Sequence, residues 1–405
     1  MKKRIMWTLF FIMIFEIGSQ IPLPNVSITQ TSELADHDFS FQILSAFTGA
    51  RMMKLTLFSI GMGPYMSAMI IWQTISMLNS DSVEKMSQRQ QGSIQKIIGL
   101  LLAFLQSMQI VYMYKDQLGN VFGAPLMGIS PEFLAILFLT AGAMMVTWLA
   151  DCNTNKGIGG TVVLILPSMM ENVPAMLSRG MGNSSNFNYT IINCIIIFII
   201  TIVLIWITVF LNKAELRIPV ERTTISNTLS SSYIPIRFFS AGAMPFMFAM
   251  SLFTIPSYFL SMGNIKSVYI KEILSKLFSI NNVYGVLIYG FIIILLGYGF
   301  SFVNIRVYDI AKELKKSGDY IYNLIPGRET ETFLNSELIR LIFMSNLFML
   351  AVGLVPLIIG LYIPGVANVS FYFGSIIIVI TMMDNIIQQI VALATKDQYS
   401  IFENI

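Results

Sequence analysis

The chain alternates between long apolar runs and shorter polar stretches. Ten apolar runs lie near residues 5–24, 55–78, 97–114, 133–150, 158–178, 190–211, 238–260, 283–303, 340–362 and 371–394. A bilayer core about 30 Å thick is crossed by about 20 residues of α-helix, and each run is close to that length. The first run follows a basic start, MKKR, as in a signal peptide, but no small-residue cleavage site follows it. We therefore interpret it as a retained span, and the pattern predicts an all-α polytopic membrane protein with ten transmembrane helices.

Composition and charge support a membrane protein and indicate its orientation. Hydrophobic residues make up 55% of the 405 positions, charged residues only 12%, and the mean hydropathy is +0.71, which excludes an ordinary soluble protein. An N-terminus in the cytoplasm places most of the 25 Lys and Arg residues on that side. The loops 212–237 and 304–340 carry many of these basic residues. The outer loop 261–282 is an exception, because it carries basic residues on the opposite side. The distribution of Lys and Arg over all the loops taken together predicts a multi-pass protein with both termini in the cytoplasm.

One phrase occurs twice, each time at the head of an apolar run. Residues 61–69 read GMGPYMSAM and residues 242–250 read GAMPFMFAM, so both contain Gly, two residues, Pro, an aromatic residue, Met, any residue, Ala and Met. Proline and glycine interrupt helices, and broken helix at membrane depth needs protein or water beside it. The phrases therefore predict the lining of a pore, although two coincidental proline kinks are the alternative.

The position of the two phrases predicts an internal repeat. Each phrase heads the second span of a five-span half, with the halves at 1–180 and 181–405. Because five is odd, the second half enters the membrane from the opposite side, which gives two inverted five-helix halves around a central pore. Transport proteins place broken helices at equivalent positions of such halves. A secondary transporter with inverted repeats is the alternative function, but it needs ion-coupling groups, and the spans offer only Glu16, Glu171 and Asp384, all near span ends.

The segment before the first phrase is too polar to face lipid. Residues 43–60 contain Arg51, Lys54 and several hydroxyl groups, and charged groups at the membrane centre are costly. They predict a re-entrant piece that dips in from outside and closes a water-filled funnel.

The residues that carry catalysis or bind metals are scarce. The one histidine, His37, lies in an acidic outer stretch, and Cys152 and Cys194 fall on opposite sides of the repeat boundary, so neither a metal site nor a disulfide is predicted. No paired nucleophile and base and no phosphate-binding glycine loop is present. We expect no enzyme activity, no catalytic residues, no metal and no cofactor, so that energy comes from a partner.

Several short motifs carry a resemblance to a known family. The turn ELRIPVERT at 215–223 is similar to the R-R-I-P-V stretch of the SecY protein-conducting channels. Other pieces follow in the family's order: EIGSQIPLPNV at 16–26, IGMGPY at 60–65, KGIG at 156–159, SAGAMPFMFA at 240–249, ELKKSG at 313–318, IPGRETETFL at 325–334 and TMMDNIIQQ at 381–389. The chain thus resembles the SecY family along nearly its whole length. The resemblance implies a channel that threads unfolded polypeptide across the membrane, with a plug, an apolar ring at the waist and a lateral gate between spans 2–3 and 7–8.

The resemblance also assigns candidate residues to these parts. The pore ring would be formed by Met62, Met66, Val162, Leu166 and Met247, with Ile377 or Ile378 from span 10, where the family's F-G-G-T stretch is shortened to Phe373-Gly374-Ser375. The plug would be about 43–54, including Gly49, Arg51 and Lys54. The lateral gate would include Ser67, Gln106 and Phe248, although simple hydrogen bonding between helices is the other reading of Gln106.

Two departures from the family pattern suggest a subtype. Glu16 stands where the family commonly has Arg, and Ile325 falls at the Arg that the family uses with its cytoplasmic ATPase. The chain resembles in this respect the accessory SecY of Gram-positive bacteria, which exports serine-rich, glycosylated adhesins. The expected partners are an accessory SecA-type ATPase, small SecE-like and SecG-like membrane subunits, the unfolded preprotein and membrane lipid, with no nucleic acid. The candidate motor-docking residues are Arg217, Lys315, Lys316 and Arg328, although a plain positive-inside signal would also concentrate basic groups there.

Overall fold

A computed structural model describes residues 2–24, 56–78, 86–117, 130–180, 187–221, 232–249, 252–253, 272, 276–278, 282–362 and 366–398. The first six helices are α1 Lys2–Gly18, α2 Gly63–Leu78, α3 Gln88–Gln117, α4 Pro131–Lys156, α5 Val162–Gly180 and α6 Phe187–Lys213. A hairpin of β1 Glu215–Val220 and β2 Ser232–Arg237 follows. The later helices are α7 at 244–249, α8 Val283–Asn304, α9 Val307–Ser317, α10 Arg328–Gly360 and α11 Val366–Gln398.

Most of these helices coincide with the predicted spans. Six stretches are long and apolar enough to cross a membrane: Arg89–Tyr112, Pro131–Lys156, Cys194–Lys213, Val283–Ser317, Arg328–Gly360 and Val369–Thr395. A shorter apolar helix covers Val162–Pro174. On α6 the side chains of Phe198, Trp206 and Phe210 are exposed, which suits a surface covered by lipid. The described part of the chain is therefore predominantly helical and apolar, as predicted.

The chain divides into two compact units. The first comprises Met1–Leu177, Thr254–Ser275 and Met382–Ile405, and the second comprises Ser178–Phe253 and Lys276–Thr381. The division falls inside α11, so the end of that helix belongs to the first unit. The inverted relation of the halves 1–180 and 181–405 stays a prediction.

In the first unit, small residues let the segment before α2 pack closely against two helices. A Cβ atom on Gly142 of α4 would overlap the backbone of Leu57, and one on Gly18 of α1 would overlap the ring of Phe58. The Phe58 ring also stacks with Phe15 of α1, with 6.0 Å between ring centroids. Residues 56–62 are therefore fixed by both α1 and α4.

In the second unit, polar contacts join α8 to its neighbours. The Asn346 side chain of α10 packs against Gly297 of α8 and donates a hydrogen bond to the Ile294 carbonyl at 3.4 Å. The hydroxyl of Ser240, just before α7, donates to the Ser301 hydroxyl at 2.9 Å. Asn304 donates to the Ser240 carbonyl at 2.8 Å. These bonds hold α7, α8 and α10 together.

The predicted loops 212–237 and 304–340 contain regular structure. Strands β1 and β2 pair antiparallel from Glu215↔Arg237 to Val220↔Ser232. Glu221 forms a further antiparallel bridge with Tyr320. A core links the hairpin to α9 and α10 through Ile218, Ile236, Val307, Ile321, Leu334, Leu338 and Ile342. We call residues 215–221, 232–237 and 307–342 the hairpin lobe.

Span 9 also begins earlier than predicted. Helix α10 starts at Arg328, about three turns before the predicted apolar run near 340. Its first turns are polar on one side, but Leu334 and Leu338 are buried in the hairpin lobe. Tertiary packing thus stabilises helix where hydropathy alone indicated a loop.

Candidate functional site

Both copies of the repeated phrase form the same kind of turn before a helix. Gly61 and Gly242 have φ of 60° and 62°. The Gly61 N–H donates to the Phe58 carbonyl at 2.9 Å, and the Gly242 N–H donates to the Phe239 carbonyl at 3.1 Å. A helix begins two residues after each glycine. The two turns therefore share dihedral, hydrogen bond and helix start, as their matching sequences allow.

Positive φ explains why glycine stands at both positions, and it gives a testable effect. We expect Gly242→Ala to lower the free energy of unfolding by about 1–2 kcal/mol, because L-residues avoid this conformation. The new methyl group would make only ordinary contact, 3.8 Å from Thr381, so the cost comes from the backbone. Thermal unfolding of the purified protein in detergent would measure it.

Gly299→Ala is the matched control. Gly299 lies on an exposed face of α8, a Cβ atom there meets nothing within 4 Å, and its φ is not positive. Alanine is favoured over glycine by about 1 kcal/mol inside a helix, so this variant should be as stable as the wild type or more so. Equal destabilisation of both variants would contradict the backbone explanation.

The candidate ring residues are nearly all buried. Met62 lies at the end of the turn before α2, and Met66 lies in the first turn of α2, where its N–H donates to the Met62 carbonyl at 3.0 Å. Leu166 is buried one turn after the half-buried Val162 at the start of α5. These four residues belong to the first unit.

The second unit holds the other ring candidates. Met247 occupies the position of Met66 in the second phrase and is buried. Ile377 and Ile378 of α11 are both buried, so burial does not choose between them. That these side chains form one ring with those of the first unit stays a prediction.

The candidate gate residues lie on α2, α3 and α7. Ser67 is half-buried and its hydroxyl donates to the Gly63 carbonyl at 3.1 Å. Gln106 is half-buried on α3. Phe248 is buried in the second unit with its ring centroid 5.4 Å from that of Phe300 on α8. The candidate plug residues Gly49, Arg51 and Lys54 lie outside the described residues.

The candidate docking residues are exposed on the hairpin lobe. Arg217 forms an ion pair with Glu215 at 2.7 Å and lies 4.8 Å from the Tyr233 ring centroid. The hydrogen bond that Arg217 donates to the Glu215 carboxylate raises the pKa of Arg217 further above its ordinary value, so its charge is permanent. Lys315 and Lys316 lie in the last turn of α9. Arg328 is the first residue of α10.

Ile325 lies in an exposed loop of defined backbone conformation beside these cations. Its carbonyl accepts a hydrogen bond from the Thr330 hydroxyl at 3.0 Å, and its N–H donates to the Glu329 carboxylate at 3.3 Å. Its side chain is 67% exposed, and that of Tyr322 is 78% exposed. Sequence reasoning missed Tyr322, although the stretch YIYNLIPG, with two tyrosines in a polar region, contained the signal.

Comparison with known proteins identifies the family. The SecY family model matches residues 56–387, which is most of the chain. This chain belongs to the SecY family. The predicted family is therefore confirmed, and the twin helix breaks are features of a SecY-family chain.

Curated relatives indicate the type of SecY that the chain resembles. The accessory Sec system protein translocase subunit SecY2 of Leuconostoc gelidum subsp. gasicomitatum is 31% identical, over 98% of this chain and 96% of the relative. The protein of the same name from Streptococcus salivarius is 29% identical, over 98% of this chain and 96% of the relative. The predicted likeness to accessory SecY proteins is confirmed.

Solved structures support the fold. A structure of a protein-conducting channel matches with a TM-score of 0.65 at 16% identity, covering 100% of this chain and 95% of that one. Sec61 in the canine ribosome–channel complex of the endoplasmic reticulum matches with a TM-score of 0.61 at 16% identity, with the same coverage. The predicted all-α membrane class is confirmed. This SecY-family chain is a channel subunit for protein translocation, and the transporter alternative is not favoured.

Proposed function

We propose that this SecY-family chain is the central channel subunit of an accessory Sec translocase in the cytoplasmic membrane. Its cargo would be unfolded preproteins, in particular serine-rich glycosylated adhesins. The observation that carries the proposal is the pair of matched irregular turns at Gly61 and Gly242, each heading a helix, in a chain similar over its full length to accessory SecY proteins. Two equivalent breaks provide the irregular backbone that a central path at membrane depth requires.

The buried methionines after the breaks supply the seal of the proposed channel. An apolar constriction closes by excluding water, and Met66 and Met247 occupy equivalent buried positions after the two prolines. Thioether side chains are flexible and adapt to irregular shapes, so they can close around chains of different sequence. Val162, Leu166, Met62 and Ile377 would complete the ring.

The distribution of basic residues supports an orientation with both termini in the cytoplasm. This orientation places the hairpin lobe on the cytoplasmic side, where an ATPase acts. Energy would come from an accessory SecA-type motor, and small SecE-like and SecG-like subunits would complete the translocase. The exposed apolar side chains of α6 would contact lipid or such a subunit.

The hairpin lobe is suited to dock the motor. Its buried core makes it a defined surface instead of a flexible loop. Arg217, Lys315, Lys316 and Arg328 supply positive charge, while Tyr322 and Ile325 supply exposed apolar area. Buried aromatic anchors surrounded by polar groups contribute most of the energy of many interfaces. Because these apolar side chains can anchor a partner, a dedicated motor would bind although position 325 carries no positive charge.

We expect the docking surface to distinguish two motors. Changing Arg217, Lys315, Lys316 or Arg328 to Glu should weaken binding of an accessory SecA to the reconstituted channel, because each change reverses a charge at the interface. Changing Ile325 to Arg should strengthen binding of a housekeeping SecA, since arginine can form charge-assisted hydrogen bonds with an acidic partner. Binding to channels in nanodiscs, measured with each motor, would test both expectations.

Arg89→Glu is a control for net charge, because Arg89 lies on α3 in the first unit and is not part of the lobe. It should leave motor binding close to that of the wild type. If the housekeeping motor binds the wild type as tightly as the accessory one, and Arg328→Glu weakens neither, the accessory assignment loses its main physical support.

Reconstitution would test the function as a whole. Proteoliposomes with the channel, its accessory motor and the small subunits should take up an unfolded serine-rich preprotein only with ATP, as measured by protection from added protease. Uptake of small solutes driven by an ion gradient, without protein translocation, would contradict the proposal.

A further inference from the structure

The turn between α4 and α5 is bonded to three different helices of the first unit. The Asn153 amide of α4 donates to the Ile158 carbonyl at 3.1 Å and to the Gly160 carbonyl at 2.6 Å. The Thr8 hydroxyl of α1 accepts from the Ile158 N–H at 2.8 Å. The Gln389 side chain of α11 accepts from the Gly159 N–H at 2.7 Å. We call residues 157–160 with Thr8, Asn153 and Gln389 the latch.

The glycines of the turn are required for its close packing against the neighbouring residues. Gly159 and Gly160 have φ of 78° and 55°, which favours glycine. A Cβ atom on Gly157 would overlap the Asn153 side chain, and one on Gly159 would overlap Val163 at the start of α5. Because Gly157, Ile158 and Gly159 are buried, their backbone groups need these partners. The turn therefore has one defined conformation.

A cavity borders the latch. Its volume is about 330 Å³, and its lining includes Tyr65, Thr154, Gly159, Val162 and Gln389. Water occupies about 30 Å³ per molecule, so the cavity has room for about ten. Water in this cavity can pair with the Gly159 N–H when the Gln389 side chain is removed, so the turn can then shift without leaving a buried donor unsatisfied.

The latch is placed to control the start of α5. Val162 follows the turn after only Thr161, and Leu166 lies one helical turn later. Both are candidate ring residues. The same turn holds the end of α11, which belongs to the first unit through residues 382–405. A shift of the turn would therefore move Val162 and Leu166 together.

We infer that Gln389 is a positioning residue, which keeps the channel sealed at rest by fixing the 157–160 turn and hence Val162 and Leu166. The inference rests on the proposed function, because it takes these two residues as part of the ring. It is distinct from docking and from the lateral gate, since it assigns a role in the seal to polar residues outside the ring.

Gln389→Leu should raise the resting ion conductance of the purified channel. Leucine removes the acceptor at similar size, and a net hydrogen bond is worth about 1 kcal/mol, so the released population should rise about fivefold. Planar-bilayer recording without motor or substrate would measure the leak. Gln389→Glu keeps an acceptor oxygen and should leak no more than the wild type.

Gln388→Leu is the matched control on the same helix. Gln388 donates to Asp384 at 2.7 Å within α11, so this variant loses a side-chain hydrogen bond without touching the turn. It should not leak. A leak equal to that of Gln389→Leu would show a general effect of weakening α11 and would overturn the inference.

A second pair of variants keeps the inference testable if Gln389→Leu fails to fold. Thr8→Val removes the other acceptor, whereas Thr8→Ser retains the hydroxyl, so only the valine variant should leak. Folded Gln389→Leu or Thr8→Val with wild-type conductance would overturn the inference. Absence of ATP-driven translocation in the wild type would instead overturn the proposed function, because the leak comparison uses no motor.

Discussion

Glutamate at position 66 or 247 is expected to make the resting channel conduct ions. Met66 and Met247 are buried at equivalent places after the two helix breaks. A charged group in a dry site costs several kcal/mol, and apolar pores close by excluding water. Each 1.4 kcal/mol corresponds to a factor of ten, so conductance should rise by well over tenfold for either variant. Single-channel recording without motor would measure it.

Met66→Leu and Met247→Leu are the controls for this prediction. Leucine keeps an apolar side chain of similar volume, so both variants should remain sealed. Met66→Asn is a further test variant. Its uncharged amide should also admit water, but the leak should be smaller than that of the glutamate variants. If neither glutamate variant leaks although both fold, Met66 and Met247 are not part of the ring.

A covalent cross-link from position 67 to position 248 is expected to stop export. In the proposed function a signal-peptide-like helix enters between spans 2–3 and 7–8, so α2 and α7 must part. The variant carries Ser67→Cys and Phe248→Cys in a background with Cys152 and Cys194 replaced by serine. Oxidation should reduce ATP-driven translocation to background, and a reducing agent should restore it, as measured by protease protection.

The single-cysteine variants separate the cross-link from other damage. Phe248 packs on Phe300, so its replacement alone costs about 3–5 kcal/mol if it behaves like other buried aromatic truncations. Translocation by this single variant gives the baseline for the pair. Undiminished export through an oxidised and demonstrably cross-linked channel would count against the lateral gate.

Local chemistry made the helix breaks predictable from sequence. Glycine two residues before the start of a helix and proline three residues after that glycine act on their own backbone, so they need no distant partner. Gly61 and Gly242 accordingly adopt the expected conformation in both phrases. The burial of Met66 and Met247 could be predicted for the same reason, since the repeated phrase fixes their place relative to each break.

The hairpin lobe and the latch depend on residues far apart in sequence, and sequence reasoning missed both. Ile218 and Ile321 share one core although about a hundred positions separate them. Gln389 bonds Gly159 across 230 positions. Neither contact leaves a periodic signal within one segment. Sequence reasoning missed helix α9 as well, although Val307, Ala311 and Leu314 have the spacing of one buried helical face.

The continuity of α10 has a mechanical consequence. Its 33 residues rise about 1.5 Å each, which gives a rod about 50 Å long. One end is anchored in the hairpin lobe through Leu334 and Leu338, and Asn346 grips α8 at Gly297 further along. In the proposed function, a partner that pushes on the lobe would act on α10 along the part between Leu334 and Asn346, which precedes Pro356. Movement of the lobe would then be passed to α8 at the contact between Asn346 and Gly297, and the hydrogen bonds of that contact would not need to change.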